Sequence, residues 1–539
     1  MIVRVSITVP PARETDSRFV TQQLSRALQK QGCDRAVTDA VPVCEKKSID
    51  ARHGSVKLVM RYALYFDETP PKQEDTLPQW KHADGSKKTI IVGSGPAGLF
   101  GALTLLEYGI QPVIVERGSQ VSDRKRDIAA ISTKGFVNED SNYCFGEGGA
   151  GTFSDGKLYT RSNKRGDIPQ VLRIFVHFGA DPKILTDAHP HIGTDRLPAI
   201  IQNMRNFILS SGGQILFDTR CTGFITHKTA DGQLVIDGIK TKNTKTEKES
   251  EIRTQHVLLA TGHSANDIYE LLAQAAPLSL EAKTFAVGVR VEHPRKVIDA
   301  IQYHGKQDAQ RLGAAEYRFT SQQEGRGVYS FCMCPGGFVV PSASEPEQLV
   351  VNGMSAAKRN SLWSNAAFVV ETRPEDIPQE FIVQAEQKGC PSLAGLLWRT
   401  WLEKLTFSHA DGQKAPAQLL TDFLSHREST VLPKTSYAPG LNASRLDQWL
   451  PLPIAERLHA AFKDADKAMH GFICDQALLI ASETRTSTPV RIVRDSSTCE
   501  CTALKGLYPA GEGSGYAGGI VSSAMDGIKC CHQIAQSLK

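Results

Sequence analysis

The chain lacks the marks of several protein classes. No apolar run among its 539 residues approaches the length needed to cross a bilayer. The opening residues, MIVRVSITVPPARETD, hold no charged segment followed by an apolar one, so no secretory leader is expected. The cysteines lack the paired C-x2-C spacing of a zinc site. Cys332/Cys334 and Cys499/Cys501 are C-x-C pairs, and Cys530 adjoins Cys531. No H-E-x-x-H occurs, and a metal centre is not expected. Without a leader, the twelve cysteines read as reduced thiols, and the expected compartment is the cytoplasm. Lys and Arg are dispersed and the net charge is only +4, so no basic stripe marks a nucleic-acid footprint. Internal repeats and low-complexity tracts are missing too.

What is present is the composition of a globular protein, 41% hydrophobic and 22% charged, long enough for about two to four domains. The most informative stretch is TIIVGSGPAGLFGALTLLEYGIQPVIVERG, residues 89–118. Residues 89–92 predict a strand. Gly93, Gly95 and Gly98 follow in G-x-G-x-x-G spacing. Residues 97–108 predict a helix stopped by Gly109, and 112–115 a second strand closed by Glu116. Gly93 permits the tight turn. Gly95 lets a pyrophosphate reach the backbone, and Gly98, with Ala102 a turn on, lets helix and strand pack closely. The helix N-terminus offers unpaired N–H groups to phosphates. Glu116 offers acceptors to ribose hydroxyls and would repel a 2′-phosphate. Strand, helix, second strand and acid together make this a dinucleotide motif rather than a chance glycine turn.

Residues 1–66 read as a small α/β unit: a strand over 2–9, a helix over 17–31 and a strand over 56–65. Residues 67–87, rich in proline and charge, read as a linker. After Glu116, Arg124, Lys125 and Arg126 either face phosphates or form a solvated helix face. The segment NYCFGEGGAGTFSDGKLYT, 142–160, carries Gly146, Gly148, Gly149 and Gly151 before Thr152, Ser154 and Asp155, a loop able to lie against a flat ligand. Residues 194–211 predict a helix capped by Thr194 or Asp195. Strands are predicted at 214–217, 222–227, 234–240 and 254–260, the last ending in Ala260, Thr261 and Gly262, a small-residue turn suited to close approach of a cofactor. Residues 270–474 carry no nucleotide motif and read as an inserted substrate domain, with strands at 287–291, 326–331 and 337–341 and helices at 393–402 and 454–463. A second glycine-rich element, LYPAGEGSGYAGGIVSSAMDGIKCCHQIAQSLK, occupies 507–539. It reads as strand, loop and helix without a second strand or acid, so the helix must point at a ligand already held by the first motif.

Candidate chemistry lies in two stretches, 329–340 and 483–492. Cys332 and Cys334 are candidate redox or acid thiols, although alternate strand residues share a face and buried cysteine is usually a small hydrophobe. Arg485 is a candidate carboxylate clamp, with FAD phosphate binding or a domain-bridging ion pair as rival roles. Arg290 and His293 in GVRVEHP raise the same question. His263 follows the small-residue turn.

Together these elements resemble the two-dinucleotide-binding-domain flavoproteins of the glutathione-reductase superfamily. Gly93, Gly95, Gly98 and Glu116 match that superfamily's FAD pyrophosphate and ribose positions. Ala510-Gly511-Glu512 resembles its Gly-Asp element, with Glu in place of Asp. A fuller resemblance is to a bacterial family of FAD-dependent (NAD(FAD)-utilising) dehydrogenases, carried by KKSIDAR (46–52), FGEGGAGTFSDGKL (145–158), AVGVRVEHP (286–294), YSFCMCPGGFVV (329–340), ETRTSTPVRI (483–492) and LYPAGEGSGYAGGIVSSAMDG (507–527).

The resemblance implies an α/β fold: a Rossmann-like FAD-binding domain (88–269 and 475–539), an inserted α+β substrate domain (270–474) and the small N-terminal α/β domain (1–66). It implies a cofactor set of Gly93, Gly95, Pro96, Ala97, Gly98, Glu116, Arg117, Arg124, Gly148, Gly149, Thr152, Ala260, Thr261, Gly262, Gly511, Glu512, Gly518, Gly519 and Ile520. The catalytic candidates are Cys332, Cys334, Arg290 and Arg485. With no second complete G-x-G-x-x-G domain, bound FAD must be reduced by a small-molecule substrate, free NAD(P)H or a protein donor meeting it directly, a layout like that of the fumarate reductases. The expected activity is hydride transfer between non-covalent FAD and one of these. A flavin-dependent RNA-modifying enzyme and a non-catalytic FAD-binding redox sensor are the alternatives.

Overall fold

The computed structural model describes residues 1–52, 55–71, 77–160, 166–305 and 312–539. At its centre lies a five-stranded parallel sheet in the order Leu507–Pro509, Val257–Leu259, Lys88–Val92, Gln111–Val115, Gln214–Leu216. The central strands are buried on both faces, hence their continuous apolar sequences. Register brings four strand ends level: Pro509 faces Leu259, Leu259 faces Val92, and Val92 faces Val115. The residues that follow, Ala510, Ala260, Gly93 and Glu116, therefore leave the sheet side by side. This is the carboxyl edge where ligands of open parallel sheets bind.

Helix Pro96–Glu107 rises from the glycine turn, and the terminal helix Ile520–Ser537 packs against it. The approach is backbone to backbone. A Cβ at Gly98 would lie 2.0 Å from the Gly93 carbonyl oxygen, and one at Gly527 only 2.1 Å from that of Ala97. Both helices are thereby held with their N-termini at the same edge of the sheet.

The inserted unit is a seven-stranded sheet in the order Thr320–Gln323, Arg326–Cys334, Trp363–Thr372, Phe285–Pro294, Leu478–Glu483, Ala415–Leu419, Leu441–Ala443. One face, with Val287, Val289, Phe368 and Val370, packs on helices such as Leu452–Ala468. The other is built of small residues, Ala286, Ala367 and Val369, beside half-buried Tyr329 and Phe331. Leu478–Glu483, which follows the expected boundary at 475, pairs inside this sheet.

The N-terminal unit is a three-stranded antiparallel sheet, Lys57–Phe66 in the middle, covered by helix Ser17–Lys30. Its strand Ala40–Asp50 was not expected. Residues 67–87 are more than a linker: Trp80 packs among His177, Phe178 and Phe207, and the Ala83 N–H donates to the Ser211 carbonyl. Residues 72–76 of that stretch lie outside the described residues. The helix expected at 194–211 runs Leu197–Ser210 and is not capped by Thr194 or Asp195. Asp195 instead accepts the Ala357 N–H, tying the segment to the inserted unit. Among the described residues, no helix is long and apolar enough to cross a membrane.

His293 titrates with folding. Its Nε2–H donates to the Phe472 carbonyl at 2.8 Å, and burial pushes its pKa down to about 4. The unfolded chain takes up this proton first, near the ordinary histidine value, so the stabilisation is complete above that value and is lost as pH falls towards 4. The slope reaches about 1.4 kcal/mol per pH unit for one such group. Urea melts at pH 7.5 and 5 should show the acid loss, and His293→Gln should flatten it.

Candidate functional site

The four level strand ends open into one cavity of about 970 Å³. Its floor is the glycine turn: Gly93, Gly95, Pro96 and Ala97 all line it. Ala260, Thr261 and Gly262 form one wall, and Gly511 and Glu512 another. Gly518, Gly519 and Ile520, the start of the terminal helix, lie opposite. Neither helix has a side-chain cap at Gly95 or Gly519, and both N-termini line the cavity.

These residues fit a dinucleotide cofactor. At Gly95 a Cβ would meet nothing nearer than the Gly149 Cα at 3.9 Å, and at Gly262 and Gly518 nothing within 4 Å. Protein packing leaves the space on the cavity side of these glycines open. Uncapped helix starts beside it suit phosphates. The floor residues would hold the pyrophosphate.

Glu116 also lines the cavity and is 5% exposed. One carboxylate oxygen accepts the Ser94 N–H and hydroxyl at 2.9 and 2.7 Å, the other the N–H groups of Gly118 and Gly146 at 3.0 Å each. The acid read as a ribose acceptor thus joins three loops within the protein. Beside it Arg117 pairs with Asp140 and Asp267, its guanidinium 4.2 Å from the Phe145 ring centroid.

Arg124 does not face phosphate. It is fully buried, does not line the cavity, and donates to the carbonyls of Asn142, Tyr143, Gly146, Glu147 and Gly149. It shapes the glycine-rich loop from behind, and burial lowers its pKa to about 10. Gly148 and Thr152 also lie behind the loop, where the Thr152 hydroxyl donates to the Glu147 carbonyl. Gly149, Ala150 and Gly151 line the cavity instead. Gly98 is occupied with packing.

Asp526 positions the Gly511 turn. Its carboxylate accepts the Gly511 N–H at 2.8 Å and pairs with Arg494. Glu512 then meets Nδ1 of His263 at 3.0 Å across the mouth of the turn.

Of the catalytic candidates, Cys332 and Arg485 line the cavity; Arg290 and Cys334 lie behind its wall. Arg290 is fully buried in an ion pair with Glu483 at 3.0 Å and donates to Asn365 at 2.6 Å. Arg485 is held bidentately by Glu403, at 2.9 and 2.7 Å, and its other two hydrogen bonds go to Gln348 and the Cys144 sulfur. Cys332 sits at a break in its strand ladder with a left-handed backbone, φ 43°, an uncommon state for a non-glycine residue that clusters at functional sites. A hydrogen bond from the Cys334 thiol lowers its pKa well below the thiol range, against the effect of burial and with help from Lys157 and Arg290.

The sequence reading missed a charged chain at the outer end of the cavity. Arg359 holds buried Asp155 through two nitrogens, at 3.2 and 2.6 Å, and Glu316 at 2.6 Å. His189 meets Glu316 at 3.0 Å. Burial opposes the Glu316 charge, but His189 and Arg359 hold its pKa down to about 2. Lys157 donates to the Met333 carbonyl and lies 3.8 Å from Asp155. Asp155 and Lys157 stood in the glycine-rich segment and were legible; Arg359 and Glu316 come from the inserted unit and carried no motif.

Residues 86–131 match the model of an FAD binding domain, and residues 284–486 that of the FAD-dependent protein, C-terminal domain-like family. A Clostridium beijerinckii protein, described as uncharacterized, is 41% identical over 454 residues, 83% of this chain and 81% of that one. Among solved structures, Mycobacterium smegmatis Sdh1 in complex with UQ1 is 12% identical, with a TM-score of 0.34 over 84% of this chain and 69% of that one. The glycerol-3-phosphate dehydrogenase from Bacillus halodurans complexed with FAD is also 12% identical. Its TM-score is 0.27, over 54% of this chain and 49% of that one.

Proposed function

This chain belongs to the same family of FAD-dependent proteins as its clostridial relative, and on that premise we propose that it is an FAD-dependent oxidoreductase. It would hold FAD non-covalently and exchange hydride with a small-molecule substrate or free NAD(P)H. The observation that carries this is the convergence of four level strand ends and two uncapped helix N-termini on one cavity. When bound, FAD supplies two-electron chemistry at its ring system. The chain's own residues do the rest. The helix start at Pro96 holds phosphate charge, and the start at Ile520 favours negative charge on the ring beside it. Lys157, held on the Met333 carbonyl beside Cys332, keeps a positive charge on the outer side of the cavity. Tyr329 and Phe331 of the seven-stranded sheet line one side of the cavity with aromatic surface.

The finer kinship to glutathione-reductase-type flavoproteins rests on the same motif residues and on Glu512. The unit boundaries we favour are 88–269 with the segment after strand Leu478–Glu483, and the insertion between them. Twelve free cysteines support a reducing, cytoplasmic setting.

Anaerobic mixing with NADH, NADPH and a panel of organic acids tests the activity. At least one donor should bleach the flavin absorbance on a turnover timescale. A flavin that no donor reduces would make the chain a binding protein instead.

A further inference from the structure

The cavity extends past the nucleotide motif. Its outer lobe is lined by Tyr329 and Phe331, from the open face of the seven-stranded sheet, and by Tyr159. Tyr329 and Phe331 are half-buried, packing on Ala286, Ala367 and Val369 on one side and lining the cavity on the other. Tyr159 is 44% exposed and stands edge-on to His189, ring centroids 4.9 Å apart.

Two cations flank this shelf. Lys157 reaches the carbonyl of Met333, two residues beyond Phe331. Arg318 is exposed and lies 5.3 Å from the Tyr159 centroid. The pairing of Thr320 with Tyr329, continued by the Ser330 N–H to the Phe319 carbonyl, sets Arg318 beside Phe331. The two local carboxylates, Asp155 and Glu316, are engaged by Arg359. Lys157 donates to the Met333 carbonyl and keeps a 3.8 Å contact with Asp155, and Arg318 forms no ion pair among the described residues.

We propose that the outer lobe receives a planar aromatic ring carrying an anionic group, the ring against Tyr329 and Phe331 and the charge towards Lys157 and Arg318. This rests on the oxidoreductase reading, since it names the class of molecule that meets the cofactor. Flat rings gain from stacking or edge contact with aromatic side chains beyond their buried area. An anionic group is attracted by both cations, whereas a neutral group gains nothing from them and a cationic one is repelled. A nicotinamide nucleotide and a free aromatic acid share this chemistry.

The test uses purified holoprotein and three probes: 2-naphthoate, its ring-saturated decahydro acid and 2-naphthamide. Calorimetry gives affinity, and released flavin is measured separately. Naphthoate should bind at least about tenfold more tightly than either analogue. Phe331→Leu and Lys157→Gln should each weaken it by about tenfold, with flavin content unchanged. Tyr329→Leu serves if Phe331→Leu does not fold. Equal affinity for the saturated acid would overturn the aromatic part. Equal affinity for the amide would overturn the anionic part, and failure of naphthoate to bind would overturn both. Displacement of naphthoate by NADH or NADPH would identify a nicotinamide nucleotide as the source, and retention a free aromatic acid. A protein that binds naphthoate but no flavin would contradict the cofactor reading and not this one.

Discussion

Gly95→Asp should fold normally and lose FAD. The backbone at Gly95, φ −71° and ψ −175°, is open to any residue. The new Cβ meets only the Gly149 Cα at 3.9 Å. Aspartate is also a good N-cap, and its carboxylate would accept the free N–H groups of helix Pro96–Glu107. Those are the groups a phosphate would use. The variant therefore replaces a bound anion with its own and repels the next one. Affinity for FAD should fall at least a hundredfold, about 3 kcal/mol, while thermal stability in the absence of cofactor holds or rises. Gly95→Ala, with no charge, should lose much less. A Gly95→Asp protein that purifies with stoichiometric FAD would contradict this.

Arg124→Met should lose stability first and cofactor second. The guanidinium serves five carbonyls of the 142–149 loop at 2.8 to 3.2 Å. Methionine fills some of the volume and leaves the buried Asn142 and Tyr143 carbonyls without a donor, while those of Gly146, Glu147 and Gly149 keep one within the loop. Each buried group left unpaired costs about 1–3 kcal/mol, and relaxation of the loop recovers part, so a net loss of about 3–5 kcal/mol is expected in urea melts. Arg124→Lys should recover less than half, because an ammonium cannot span carbonyls on opposite sides of a planar fork. FAD binding should weaken in both variants, since Gly149 and Ala150 would leave their places in the cavity wall. An Arg124→Met protein as stable as the parent would show that the loop holds its shape alone.

Local motifs were legible in the sequence because one βαβ unit carries its own geometry. Gly93, Gly95 and Gly98 needed only their neighbours to be read. The turn at Ala260 and the helix at Ile520 were legible for the same reason, each being a strand end or helix start within a few residues. Arg124 was not, because three successive basic residues look alike until helix Val121–Lys134 shows which one faces inward. Arg126 is paired with Asp123 on the surface. The internal donors of Glu116 were not legible, because three of the four come from other loops, and Gly146 lies thirty residues on. The pairing of Leu478–Glu483 within the seven-stranded sheet was not legible, because an antiparallel strand has the same apolar content as a buried parallel one. The Asp155–Arg359–Glu316 chain joins the glycine-rich loop to the inserted unit, and long-range charge pairing leaves no spacing to read.

The most direct measurement is the flavin content of the unmodified protein. Acid or heat denaturation of the purified chain should release one FAD per polypeptide, with none left covalently attached. A chain that carries no flavin and takes up none from added FAD would contradict the account at its centre.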